Sequence, residues 1–217
     1  MPGHVKLVKG AVDPDPSEYL LPTIDMKKED QNKPYEPKQS VWVPDPKTGG
    51  YREGLLLEGA EIATIGAEDA DLATKLTIAV GHEKMTHLQK EVGRVNPPKF
   101  EKCEDMVNLT FLNDASVFWN LKTRYVAKMI HTYSGPRSAG VEQPLIVCLS
   151  CSGLFVIVIN PYKRYPIYTH RVSKIYLGKR RNECPPHLWA VISNSITKSH
   201  QLSTTPLRRL PSAHTET

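Results

Sequence analysis

A chain of 217 residues has room for one ordinary domain or two small ones, and 40% hydrophobic content is enough for a packed core. The 28 basic and 23 acidic residues leave a net charge of +5, too mild and too dispersed to point to nucleic acid. No apolar run approaches the roughly 20 residues of a membrane helix, the opening stretch MPGHVKLVKGAVDPDP lacks the apolar core of a secretory signal, and four cysteines do not make a disulfide framework, so a soluble cytoplasmic protein is expected.

In chain order, residues 1–33 are polar and rich in Pro, Asp and Lys, with a small apolar group at Tyr19, Leu20 and Leu21. They read as an extended arm packed on something larger. From Ser40 the texture changes: Val41, Trp42 and Val43 are followed by Pro-Asp-Pro and Thr-Gly-Gly turn signals and then by the apolar run Leu55–Leu57. Further β-type runs at Leu76–Val80 and around Leu88–Val95 predict a small all-β barrel or sandwich over residues 34–95. Pro97 and Pro98 exclude a helix and predict an extended connector. Asn113 or Asp114 can then cap a helix whose apolar face repeats at Val117, Leu121, Tyr125 and Met129. The continuously apolar run Leu154–Asn160 predicts a strand covered on both faces. NPYKRYPIYTHR is a proline-punctuated loop, PPHLWA starts another helix, and residues 191–217 read as a Ser/Thr-rich disordered tail without periodicity.

Several stretches imitate functional motifs. Cys148 and Cys151 form a C-x-x-C pair with no second ligand pair, which favours inert thiols over a redox or zinc centre. Gly135 and Gly140 have phosphate-loop spacing, but Val141 and Glu142 stand where such a loop needs lysine and a hydroxyl. His82 and His87 are five apart rather than the four a zinc-protease helix needs, so they would face about 140° apart on a helix. No catalytic or metal-binding residue is assigned. The basic run Gly178–Arg181 reads as a solvated turn. INPYKRYPIY is different: a braced loop ends an apolar strand, Asn160 offers amide hydrogen bonds, and Tyr162 and Tyr168 offer aromatic faces to a flat heterocycle.

The stretches QNKPYEPKQSVWVPDP, VNPPKFEKCEDMVNLTFLNDASVFWNLKTRYVAKMIHTYS, GLFVIVINPYKRYPIYTHR and YLGKRRNECPPHLWA, in this order, resemble the N-terminal part of a muscle-type (class II) myosin heavy chain. The resemblance implies a mixed α and β chain: an N-terminal arm (1–33), an SH3-like β-barrel (34–95) and the beginning of the α/β motor head (96–190). The family's adenine-contacting N-P-x-x-x-x-x-x-Y loop falls on Asn160, Pro161 and Tyr168, with Lys163 and Arg164 beside it. In the complete family protein, ATP with magnesium is the cofactor pair, actin filaments and light chains are the partners, the heavy chain dimerises through a tail, and the location is the muscle thick filament.

Three departures from the family pattern shape the expectations. An insert of 18 residues, near 134–151, intervenes between HTYS and GLF, both decoy motifs lie inside it, and it resembles retained intronic or extra-exon sequence. Gly-Ala-Glu occurs twice, at 59–61 and 66–68, and lengthens a barrel hairpin. The match ends at Ala190, before the family's phosphate loop, switches and actin-binding cleft. The chain is therefore expected to keep half a nucleotide pocket, to lack ATPase activity alone and to fold poorly. The alternative is a stand-alone SH3-like interaction module.

Overall fold

The computed structural model describes residues 15–59, 61–66, 73–134, 155–179 and 183–193. The C-x-x-C pair, Gly135, Gly140 and residues 194–217 lie outside them. The chain is a mixed α and β structure with a five-stranded antiparallel sheet in the order β4-β3-β2-β1-β5: β1 (Ser40–Asp45), β2 (Gly50–Glu58), β3 (Lys75–Val80), β4 (Glu83–Leu88) and β5 (Gly93–Arg94). A second, two-stranded antiparallel sheet joins β6 (His131–Ser134) to β7 (Phe155–Val158). No helix among the described residues is long and apolar enough to cross a membrane.

The β1–β2 turn is fixed by side-chain chemistry. Asp45 accepts from Lys47 N at 3.0 Å and from the Thr48 hydroxyl at 3.0 Å, and Gly49 takes the left-handed conformation (φ +66°) that closes the turn. Strand β1 is buried on both faces because it serves two cores. Val41 and Val43 join Leu56, Leu76, Ile78 and Val80 inside the barrel, while Trp42 points out and packs with Val95, Ala115 and Trp119. Alternation along one strand therefore welds the barrel to the helix that carries Ala115 and Trp119.

Several elements differ from the sequence expectation. The described part of the arm, from residue 15, is largely helical rather than extended, with α1 (Ser17–Leu20) and α2 (Ile24–Gln31); Thr23 caps α2 by accepting from Met26 N. Leu20 is buried with Ile130 and Tyr133, so the arm does pack on a larger body. The strand expected around Leu88–Val95 begins earlier, at Glu83, and the later residues form a 3-10 turn (Gln89–Glu91) and the short β5. Pro98 opens a 3-10 turn to Phe100, since proline is tolerated where the amide has no partner to lose.

Helix α3 (Asp114–Val126) is capped by Asn113, whose Oδ1 accepts from Ser116 N at 2.8 Å. Its buried line is not the apolar one. Ser116, Asn120 and Arg124 are buried at i, i+4 spacing with Ala115, whereas Val117 and Leu121 are half-buried and Tyr125 is exposed. The elements packed on this face present backbone carbonyls, so donors rather than methyl groups satisfy them. Arg124 donates to the carbonyls of Lys102 (2.9 Å) and His131 (2.7 Å) and to the Thr132 hydroxyl (3.0 Å).

Strand β7 is half-exposed at Phe155 and Val158 rather than covered on both faces, since β6 is its partner in a two-stranded sheet. Helix α4 (His170–Tyr176) follows, capped by Thr169, and a further helix starts at 188 and runs through 193, where the described residues end, past Ala190. His187 caps that helix, its Nδ1 accepting from Trp189 N at 3.1 Å.

Candidate heterocycle-binding loop

The loop from Ile159 to Thr169 leaves the end of β7, and its base is pinned by Ile159 N donating to the Ile130 carbonyl at 3.0 Å. Asn160 Oδ1 accepts from Tyr162 N at 2.9 Å, an Asx turn that holds Tyr162 at φ +51°. Positive φ is unfavourable for a bulky side chain, and here it throws the Tyr162 ring outward to 90% exposure. Tyr162 is thus removed from the site although the sequence offered it beside Tyr168. Farther along, Ile167 is buried in the core shared by Leu20, Ile130, Val172 and Tyr176, while Tyr165 packs at a tilt on Tyr19 of the arm at 4.8 Å between centroids.

Asn160, Pro161, Lys163, Arg164 and Tyr168 line one open pocket of ≈ 500 Å³, together with Ile130, Val158, Tyr165 and Ile167. The structure brings all five candidate residues together. Its wall is mostly apolar, with an amide, two cations and a phenol at the rim, the composition that suits a flat, partly polar ring.

Behind the loop lies a cluster the sequence did not single out. His131 Nε2 and the Tyr168 hydroxyl are 2.9 Å apart, and His131 packs on His187 at 4.3 Å and His187 on Tyr176 at 5.1 Å between centroids. Burial, with help from His187 and Arg124, drives the His131 pKa down to about 3; burial takes His187 down to about 4. Both imidazoles are neutral at physiological pH. Burial also raises the Tyr168 pKa, so its phenol stays protonated. The other histidines of interest sit apart: His82 is in the β3–β4 turn and His87 on β4, 3.7 Å from Glu91. No cluster of three potential metal ligands occurs among the described residues.

The myosin head (motor domain) family model matches residues 145–204, a span that takes in this loop, α4 and the helix that starts at 188. The chain is 44% identical over 174 residues to Myosin-1 of Caenorhabditis elegans, an alignment covering 80% of this chain and 8% of the relative. The chain belongs to the myosin heavy-chain family. It is also similar to Myosin-3 of C. elegans (43% over 159 residues, 73% of this chain and 7% of the relative) and to mouse Myosin-14 (38% over 154 residues, 71% and 6%). The chain thus spans less than a tenth of the length of these myosins, and corresponds to the N-terminal part of a heavy chain. The myosin head match begins inside the segment 134–151 and passes Ala190.

Proposed function

We propose that the loop carrying Asn160, Pro161, Lys163, Arg164 and Tyr168 is the adenine side of the nucleotide pocket of a myosin motor, in which ATP hydrolysis drives movement on actin. The observation that carries this reading is the convergence of all five residues on one pocket beside a half-exposed, hydrogen-bonded tyrosine. Tyr168 offers a ring face, Pro161, Ile130 and Val158 an apolar floor, and Asn160 an exposed amide; these fit a heterocycle. Lys163 and Arg164 are cations that can meet the phosphate end or solvent.

The same residues do not fit magnesium, which takes carboxylate, hydroxyl and phosphate oxygens. No step involving the ion is therefore assigned to them. Phosphoryl transfer depends on groups that grip the transferring phosphate and its metal, so the adenine side alone is expected to show only background ATP turnover. In the complete heavy chain the same loop would serve a thick-filament motor with actin, light chains and a dimerising tail as partners. The barrel (34–95) would be its SH3-like N-terminal domain, ahead of the head.

The test is titration of the isotope-labelled 217-residue chain with adenosine at millimolar concentration. Saturable shifts confined to the amides of Asn160–Tyr168, lost in Tyr168→Ala, are expected. Shifts that are absent, or unchanged in Tyr168→Ala, would remove this reading.

A further inference from the structure

Where the barrel meets the connector and α3, a second, much smaller, partly open cavity of ≈ 40 Å³ is lined by Trp42, Glu53, Glu101, Trp119 and Asn120, among others. Three of these residues carry a shielded atom with no hydrogen-bond partner: Trp42 Nε1, Glu101 Oε2 and Asn120 Oδ1. Trp42 and Asn120 are each 3% exposed. These groups cannot turn to look for partners elsewhere, because their other atoms are already committed. Glu101 Oε1 accepts from Trp119 Nε1 at 2.9 Å and lies 3.5 Å from Lys33 Nζ; Asn120 Nδ2 donates to the Cys103 carbonyl at 3.1 Å; the Trp42 ring packs on Trp119 at 5.1 Å between centroids.

The unpartnered atoms of these lining residues are therefore one donor and two acceptors. They cannot satisfy one another, since a single indole N–H serves one acceptor and leaves the other stranded, and a stranded buried carboxylate oxygen is costly. The ligand that completes the set must accept once and donate twice. A cation is opposed by the indole N–H, and an anion by Glu101 and by Glu53 on the same wall. Water matches the inventory, and the volume admits up to about three molecules at roughly 10–15 Å³ each.

We propose that this cavity is a built hydration site, in which ordered water accepts from Trp42 Nε1 and donates to Glu101 Oε2 and Asn120 Oδ1. The water is then the joint between β1 of the barrel, the connector and α3. Through the Glu101–Lys33 pair it also reaches the arm. A bridging water of this kind contributes nearly as much as a direct hydrogen bond while leaving the barrel and helix a junction that can be remade.

The deciding experiment uses the nitrogen-15-labelled full chain, with the Trp42 indole signal assigned by its loss in Trp42→Phe. That signal is expected to show cross-relaxation with a long-lived water, of the sign given by a bound molecule rather than by proton exchange. An indole proton that is slow to exchange and silent toward water means a dry cavity and overturns the proposal. A second arm compares melting midpoints. Trp42→Phe and Asn120→Leu should each lower the midpoint, and the double variant should lose clearly less than the sum, because one bridge serves both; strictly additive losses overturn the bridge. If Asn120→Leu does not fold, the indole–water signal of the unmutated chain decides alone.

Discussion

His131, buried in β6, holds the phenol of Tyr168 at 2.9 Å from 37 residues away, and so ties the first strand of the hairpin to the far end of the candidate loop. The Nδ1 of His131 is shielded and has no partner. A buried N–H without an acceptor costs more than a bare lone pair, so the proton belongs on Nε2, which donates to the Tyr168 oxygen. The phenol's own proton is then left to face the pocket.

His131→Phe keeps the ring but removes that bond, and Tyr168 gains freedom that a bound heterocycle must quench. Adenosine affinity should fall about 2- to 10-fold, the equivalent of one hydrogen bond of roughly 0.5–1.5 kcal/mol. Tyr168→Ala should fall further. Amide titration of both variants checks this, and an unaltered affinity in His131→Phe would mean that the bond does not orient the ring.

The imidazole pair also predicts acid sensitivity. Both folded-state pKa values lie below the ordinary 6.5, at about 3 and about 4, so the folded protein holds these rings neutral while the unfolded chain binds two more protons. The groups facing them are Arg124, Tyr168 and Tyr176, none of which offers a negative charge to stabilise an imidazolium. Their contribution is complete above pH 6.5 and is lost as pH falls toward 4 and then 3, with a slope of up to about 2.7 kcal/mol per pH unit for two protons. Urea unfolding at pH 7.5, 6 and 5 measures it. His131→Phe should flatten the dependence, and equal slopes in the two proteins would contradict the assignment.

Arg124 was invisible to pattern reading for a physical reason. Periodicity finds the stripe Val117, Leu121, Tyr125, but the surfaces packed on α3 are the connector and the start of β6, whose carbonyls at Lys102, Cys103 and His131 need donors. Ser116, Asn120 and Arg124 run one position ahead of the apolar stripe, a polar i, i+4 line that in isolation reads as a solvated face. The barrel was legible because alternation and turn residues act locally, and the loop because proline and asparagine fix it locally. The histidine cluster was not, since nothing in the sequence distinguishes His131 or His187 from a surface histidine; their burial depends on elements more than 50 residues apart.

Burial lowers the Arg124 pKa to about 10, which still leaves it charged at neutral pH. Arg124→Ala strands two carbonyls and a hydroxyl, and should cost about 3–5 kcal/mol. Arg124→Lys should recover little, because an ammonium cannot reproduce three bonds directed by a planar fork. Tryptophan-fluorescence unfolding curves of the two variants check both statements, and a lysine variant as stable as the original would show that charge, not geometry, is what the site requires.

Gly54 marks where the barrel is tightest. An added Cβ would lie 2.7 Å from Ile78 Cγ2, 3.0 Å from Val80 Cγ2 and 3.1 Å from the Ala79 carbonyl, and the first two belong to side chains locked in the barrel core. Glycine in the middle of β2 is therefore demanded by the closeness of β3 rather than by a turn. Gly54→Ala should overpack the barrel by about 1–3 kcal/mol. Gly49→Ala, in open space at φ +66°, should act through backbone strain alone. The two mechanisms separate in a background with Ile78→Leu, which removes the Cγ2 methyl that the added Cβ would meet while roughly conserving volume. That change should relieve part of the Gly54→Ala loss and leave the Gly49→Ala loss untouched; relief of both, or of neither, would show that the close approach at Gly54 is not what sets its cost.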